Sequence, residues 1–355
     1  MTSYTLIQLG WNTSRATDFS QYTDAGLVPA RVIRPERGAS LVAFDGVTKT
    51  ARLALDYADA ITSLAHPTVG DWVACSTGDA GPAIRAVLPR TSAFVRHAAG
   101  NETAAHALAA NVDTVFVVVP LNRKLNLTRI ERFITLAWES GATPVLVLSK
   151  SDVCADLPAA IDEATSAAPG VDVLATSAVV GDGVHDLAQY AVPGTTVALL
   201  GQSGAGKSTL VNALAGEELM HTQDIRGDGR GRHTTTHREL VVLSGGGILI
   251  DTPGLRTLLL WDAEEGLERA FEDIEEYAAQ CRFHDCAHVA EPGCAVTAAV
   301  ASGELPQRRV DSHRKLQREL TFLAAKQDKR LAAELRKSNK VMFKAYRQRD
   351  ELKPR

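Results

Sequence analysis

The residues Gly201-Gln202-Ser203-Gly204-Ala205-Gly206-Lys207-Ser208-Thr209 combine flexible glycines, one lysine and a pair of hydroxyls in a fixed order. A loop of this kind turns its N–H groups inward around a phosphate. The following helix N-terminus adds partial positive charge, Lys207 reaches the terminal phosphates, and the Ser208 hydroxyl binds Mg²⁺. The flanks are the ones this chemistry needs. Val197-Ala198-Leu199-Leu200 has the apolar character of a buried strand, and Thr209-Leu210-Val211-Asn212-Ala213-Leu214 that of a helix.

A second group could read a base. Ser149-Lys150-Ser151-Asp152 follows an apolar run at 143–148, and Thr176-Ser177-Ala178 follows another at 171–175. An Asp carboxylate can accept from both N1–H and the exocyclic amine of guanine, a pair of donors that adenine lacks. Asp152 would therefore select GTP over ATP, Lys150 would lie along the base, and Ala178 would offer its backbone N–H to the guanine carbonyl. Each string alone is weak, because an Asp after a strand also serves as a helix N-cap. Beside a phosphate loop the two strings gain meaning. In Asp251-Thr252-Pro253-Gly254, Asp251 would hold Mg²⁺ through water or Ser208, and the Gly254 N–H would sense the γ-phosphate. The glycine-rich run 225–236 ends in His233-Thr234-Thr235-Thr236, whose hydroxyls could close on Mg²⁺ and γ-phosphate.

A third group is built for a metal. Cys281, Cys286, His288 and Cys294 are spaced Cys-x4-Cys-x-His-x5-Cys. Three thiolates and an imidazole close a tetrahedron around a structural Zn²⁺ and leave no position open for catalysis. His284 is an alternative imidazole. Cys75 and Cys154 stand alone in apolar surroundings, as small buried side chains do.

These groups must be positioned by more than one domain, since 355 residues exceed an ordinary single core. No run of eighteen apolar residues appears and the start lacks a signal peptide's pattern, so a soluble, cytoplasmic protein with no membrane partner is expected. The net charge of −4 hides an asymmetry: from Glu304 onward there are 16 Lys+Arg against 7 Asp+Glu, and the body before it is acidic. A basic tail on an acidic body points to a polyanion, with nucleic acid as the leading candidate.

Between about Gly26 and Phe94, β-rich segments at 27–33, 40–44, 50–55, 71–76 and 83–87 fit a small closed barrel of the OB type. Its few aromatics, Phe44, Tyr57 and Trp72, make no evident stacking platform. From 112 the period changes to strand, helix, strand, helix, strand (112–119, 129–139, 143–148, 156–168, 171–175), a parallel sheet with covering helices. Segments 239–243 and 247–250 make a hairpin. Residues 263–279 form an acidic helix, and 308–333 and 334–349 are helical in composition. Residues 1–22 suggest only a short helix.

The order of the parts is unusual: Asp152 precedes Lys207, whereas an ordinary small GTPase places its phosphate loop first. With this permuted order, the run Gly231-Arg232-His233-Thr234-Thr235-Thr236 and the cysteine cluster, the sequence closely resembles the RsgA family of ribosome-small-subunit-dependent GTPases, from about Gly26 to the tail. The resemblance implies an N-terminal OB-like β-barrel (1–96, with the N-terminal segment), a circularly permuted α/β P-loop GTPase domain (97–260) and a C-terminal zinc-binding helical domain with a basic tail (261–355). It also implies GTP hydrolysis to GDP in late maturation of the small (30S) subunit, contact with its rRNA, and His288 as the fourth zinc ligand. Nothing requires more than a monomer. Leu255 stands where many GTPases carry a water-orienting Gln, so intrinsic turnover should be slow. By chemistry and by resemblance His233 takes the water instead. Ser149 replaces the family's Asn, so an amide bracing base and phosphate loop is lost; a lower GTP affinity is expected, with selectivity left to Asp152. The rival readings are a P-loop kinase and a zinc-containing RNA-binding module that uses GTP only as a switch.

Overall fold

The computed structural model describes residues 4–60, 63–97, 105–219, 238–251 and 263–327. The chain divides into two compact units, Met1–Leu259 and Leu260–Arg355. Among the described residues no helix is long and apolar enough to cross a membrane.

The first unit opens with α1 (Thr13–Thr23), capped by the Asn12 side chain on Arg15 N–H. Strands β1 (Val28–Glu36), β2 (Ala39–Phe44) and β3 (Val47–Leu53) follow, then α2 (Leu55–Ala60), β4 (Trp72–Ser76) and β5 (Ala83–Val87). They close into a five-stranded barrel in the order β1-β2-β3-β5-β4. Period-two alternation sends Ala30, Val32, Val42, Phe44, Ala51, Val73, Cys75 and Ile84 inward. The N-terminal segment belongs to this unit: Trp11 packs edge-on against Trp72, with centroids 4.9 Å apart, and Leu9 is fully buried.

A hairpin of β6 (Ala93–His97) and β7 (Ala105–Ala110) leads out of the barrel. Periodicity alone does not announce it, because the alanines of β7 carry little apolar signal. Next come β8 (Thr114–Pro120), α3 (Leu127–Glu139), β9 (Thr143–Ser149), α4 (Leu157–Thr165), β10 (Asp172–Thr176), α5 (Val184–Ala188), β11 (Thr196–Leu200), α6 (Lys207–Ala215), β12 (Glu239–Val242) and β13 (Ile248–Asp251). The sheet order is β10-β9-β8-β11-β13-β12. All its pairs are parallel except β12 with β13. The near-continuous apolar runs of β8, β9 and β11 are those of strands covered on both faces. On one face Phe116, Val118, Val145 and Val197 pack under Leu187 of α5 and Leu210 and Val211 of α6. Helix α3, with Ile130 and Ile134 buried, packs on β8 and β9.

A polar seam joins barrel to sheet. Arg31, wholly buried, donates to Leu9 O, to Gly70 O at 3.3 Å and to Thr196 Oγ1 at 2.8 Å. Arg15 reaches the Asn111 side chain at 2.8 Å, and Asn111 in turn donates to Gly70 O at 3.0 Å. Gly70 is obligatory: it has φ +88°, and a Cβ would sit 2.2 Å from Ala110 O.

The second unit holds α7 (Glu264–Ala270), α8 (Glu272–Ala278), α9 (Ala295–Ser302) and α10 (Gln307–Gln327). The single acidic helix expected over 263–279 is two, broken at the buried Phe271 (φ −124°, ψ 32°). Arg309 explains the corner. Its guanidinium lies over the Phe271 ring, donates to Ala270 O at 2.6 Å and grips Asp273 with both ends. The helix expected over 308–333 begins one residue earlier and is described to Gln327; residues 328–349, including the helix expected over 334–349, lie outside the described residues.

Candidate active site and metal centre

Parallel pairing brings the carboxyl ends of five strands to one sheet edge. Ser149 ending β9 is level with Thr176 ending β10 and with Pro120 ending β8, while β11 runs beside β8 and β13 beside β11. Ligands of open α/β sheets bind at such an edge.

The phosphate loop leaves β11 at Gly201, pressed so close to β8 that a Cβ would meet Val118 O at 2.4 Å. Gly206 is left-handed at φ +88° and caps α6, whose first turn holds Lys207, Ser208 and Thr209. Lys207 Nζ donates to Gly201 O and Gln202 O, each at 2.8 Å, and so lies across the loop. The Gln202 side chain accepts from Arg129 of α3 at 2.5 Å. No local motif announces Arg129, because its partner stands far along the chain. Ser203 and Gly204 are exposed, while Ala205 is buried in the sheet core.

The loop that follows β9 is tied to this loop directly. Ser149 Oγ donates to Ala205 O at 2.6 Å, and Lys150, itself left-handed at φ +62°, donates through Nζ to Gly204 O at 3.0 Å. This amends one expectation: the amide is absent, but a hydroxyl braces the phosphate loop in its place. Ser151 and Asp152 lie on a 3₁₀ turn directly after, with Asp152 exposed at the sheet edge. Ser177 is buried, its N–H donating to Asp182 O at 2.9 Å, and Ala178 packs against the sheet core. The structure therefore brings together Ser149, Lys150 and the loop 201–208, with Asp152 and Ser177–Ala178 on the same edge. Asp251 ends β13, which runs beside the phosphate-loop strand with Ala198 paired to Ile250. His233, Thr234, Thr235 and Gly254 lie outside the described residues.

In the second unit the donor atoms of Cys281, Cys286, His288 and Cys294 lie within 4.8 Å of one another. Cys281 Sγ and Cys294 Sγ are 3.8 Å apart, and each is 3.5 Å from His288 Nδ1. A tetrahedral ion about 2.3 Å from sulfur and about 2.0–2.1 Å from nitrogen sets S···S edges near ~3.8 Å and S···N edges near ~3.5 Å. The four donors thus fit one metal ion, and His284 is exposed outside the cluster. The loop is built to hold this shape. His288 is left-handed at φ +57°, its carbonyl accepts from Arg314 of α10, and the Glu291 carboxylate accepts from the N–H groups of Ala287, Val289 and Ala290. Cys294 is also the N-cap of α9, accepting from Thr297 N–H at 3.4 Å. Burial opposes ionisation of the Cys294 thiol, but the Thr297 and His288 contacts outweigh it and pull it down to about 6.

A permuted sheet whose phosphate loop is braced by the loop after β9 defines a P-loop GTPase, and comparison with known proteins agrees. A family model described as RsgA GTPase matches residues 87–261, and another described as 50S ribosome-binding GTPase matches residues 196–330. A Streptomyces avermitilis protein named small ribosomal subunit biogenesis GTPase RsgA is 50% identical, over 94% of this chain and 91% of its own. A protein of the same name from Opitutus terrae is 44% identical over 99% of both. The crystal structure of YjeQ from Thermotoga maritima covers 83% of this chain and 98% of its own at TM-score 0.63 and 27% identity; that of YloQ, titled a circularly permuted GTPase, gives 0.62 and 25%, over 85% and 96%. The chain belongs to the RsgA GTPase family, and it is a GTP hydrolase.

Proposed function

We propose that this GTPase acts on the small (30S) ribosomal subunit in its late maturation, with GTP hydrolysis to GDP and phosphate stimulated by that subunit. The observation that carries the nucleotide chemistry is the contact between Ser149–Lys150 and Gly204–Ala205, which makes one site of two loops distant in sequence. Asp152 accepts from the guanine edge, Lys150 lies along the base, and the Ala178 N–H meets the guanine carbonyl. Lys207 exchanges its two carbonyl partners for phosphate oxygens, and the loop N–H groups from Gly201 to Thr209 cradle them. Ser208 and Asp251 offer the hard oxygens that suit Mg²⁺, which neutralises phosphate charge when bound. The Gly254 N–H senses the γ-phosphate, Thr234 and Thr235 close on it, and His233 orients the attacking water.

The small subunit is preferred over the large because the relatives named for it align over more than nine-tenths of the chain, whereas the 50S description belongs to a match limited to 196–330. Zn²⁺ is the metal that suits the Cys₃His donor set. The functional divisions follow as barrel (1–96), GTPase domain (97–260) and zinc domain with an rRNA-contacting tail (261–355), in a cytoplasmic monomer.

GTP turnover measured alone, with 30S and with 50S particles tests this. Stimulation by 30S only is expected, and Lys207→Ala should lower the stimulated rate by at least about 100-fold. Unchanged turnover with 30S would remove the ribosomal assignment. Displacement of bound GTP by excess ATP would remove the role of Asp152.

A further inference from the structure

Strand β1 faces two ways. Its inner face gives Ala30 and Val32 to the barrel core. In a regular strand residues 31 and 34 would point to opposite faces. Here the ladder to β2 slips: Val32 pairs with Val42, yet Arg34 pairs with Leu41, so Ile33 is an extra residue. The bulge turns Arg34 to the same outer face as Arg31, which is how bulges re-aim side chains.

Both arginines then reach the nucleotide sheet. Arg31 bonds Thr196, the first residue of the phosphate-loop strand β11. Arg34 Nη1 lies 3.3 Å from Glu239 Oε1, on the first residue of β12, while its Nη2 holds Glu36 at 3.0 Å. Gly70 adds a third seat, since a Cβ there would come within 2.8 Å of Ile250 Cδ1 on β13.

Glu239 has a special neighbour. Directly across the ladder from it is Asp251, the residue that ends β13. Strand β12 is an edge strand whose one ladder partner among the described residues is β13, so its placement answers to a side contact more readily than a central strand's. The Arg34 and Glu239 side chains are 31% and 42% exposed, and Glu36 shares the same guanidinium. A pair this wet adds little to stability, so holding the fold together does not account for it. What it does fix is where the barrel grips the strand pair that ends at Asp251.

We propose that Arg34 is a positioning residue for hydrolysis: acting through Glu239, it holds the ends of β12 and β13 in the arrangement that subunit-stimulated turnover uses. The inference rests on the 30S-stimulated reading above. It is tested by kcat, KM and Tm, with and without 30S particles, for the wild type, Arg34→Gln, Glu239→Gln, the double variant and Arg34→Lys. Unstimulated turnover, KM and Tm should stay within about twofold or a few degrees of wild type in all four variants. Stimulated kcat should fall about tenfold in each single Gln variant and no further in the double, as two ends of one interaction require, with Arg34→Lys regaining part of it. Full stimulation of Arg34→Gln would overturn the inference. So would single losses that multiply in the double variant, or a parallel loss of unstimulated rate and Tm, which would mark a merely structural pair. An unstimulated wild type would instead remove the ribosomal reading, and this inference with it.

Discussion

At the scale of single residues, Ser149 shows how reach decides role. Its hydroxyl proton goes to the buried Ala205 carbonyl at 2.6 Å, and the short side chain has no further donor to offer the base. Ser149→Ala should leave that carbonyl without its donor at a cost of about 1–3 kcal/mol, lowering GDP affinity about 5- to 150-fold. Titration with a fluorescent GDP measures this, Ser149→Asn should restore the brace, and an unchanged affinity would show the hydroxyl to be idle. The P-loop residues were legible because their chemistry is local: glycines, lysine and hydroxyl stand side by side. Arg31 and Arg129 were not. An arginine in a β-rich or helical stretch reads as a solvated charge, and only the fold shows that Arg31 is buried against Thr196 and Arg129 set on Gln202.

Among the elements, the metal loop carries the clearest expectation. Its four donors come from a stretch with little regular structure, so binding energy and folding energy are coupled there. Chelation should cost the second unit part of its helical signal and lower its melting temperature, and added Zn²⁺ should restore both. Cys294→Ser is informative because serine is a good N-cap: α9 keeps its cap, so the loss in circular dichroism reports the missing metal bond. Retention of one zinc per chain in that variant would reject the assignment. The five barrel strands, the alternating α/β run and the cysteine spacing were all readable from periodicity and turn residues. The corner at Phe271 was not, since 263–279 holds no proline and its single Gly266 lies within α7; the break is imposed by Arg309, from another helix. The β6–β7 hairpin escaped for a different reason, its alanines favouring no period.

Across the whole molecule, charge is distributed by region. Residues 328–355 hold ten Lys+Arg against four Asp+Glu. Removing them should weaken binding to 30S particles and flatten its salt dependence, because each lost phosphate contact reduces the slope by about one. Binding measured across a potassium chloride series checks this, and an unchanged slope would take the tail out of the interface. Order along the chain has an effect as well. Strands β8, β9 and β10 are made first and lie side by side, but the other flank of β8 is filled by β11, which begins 76 positions after Pro120, the last residue of β8. Until Thr196–Leu200 leaves the translation machinery, Thr114 to Val117 form a bare, hydrogen-bond-hungry margin. A nascent chain halted in that interval would be prone to stick to its neighbours, so the permuted order makes this protein's own birth the moment it is most exposed to aggregation.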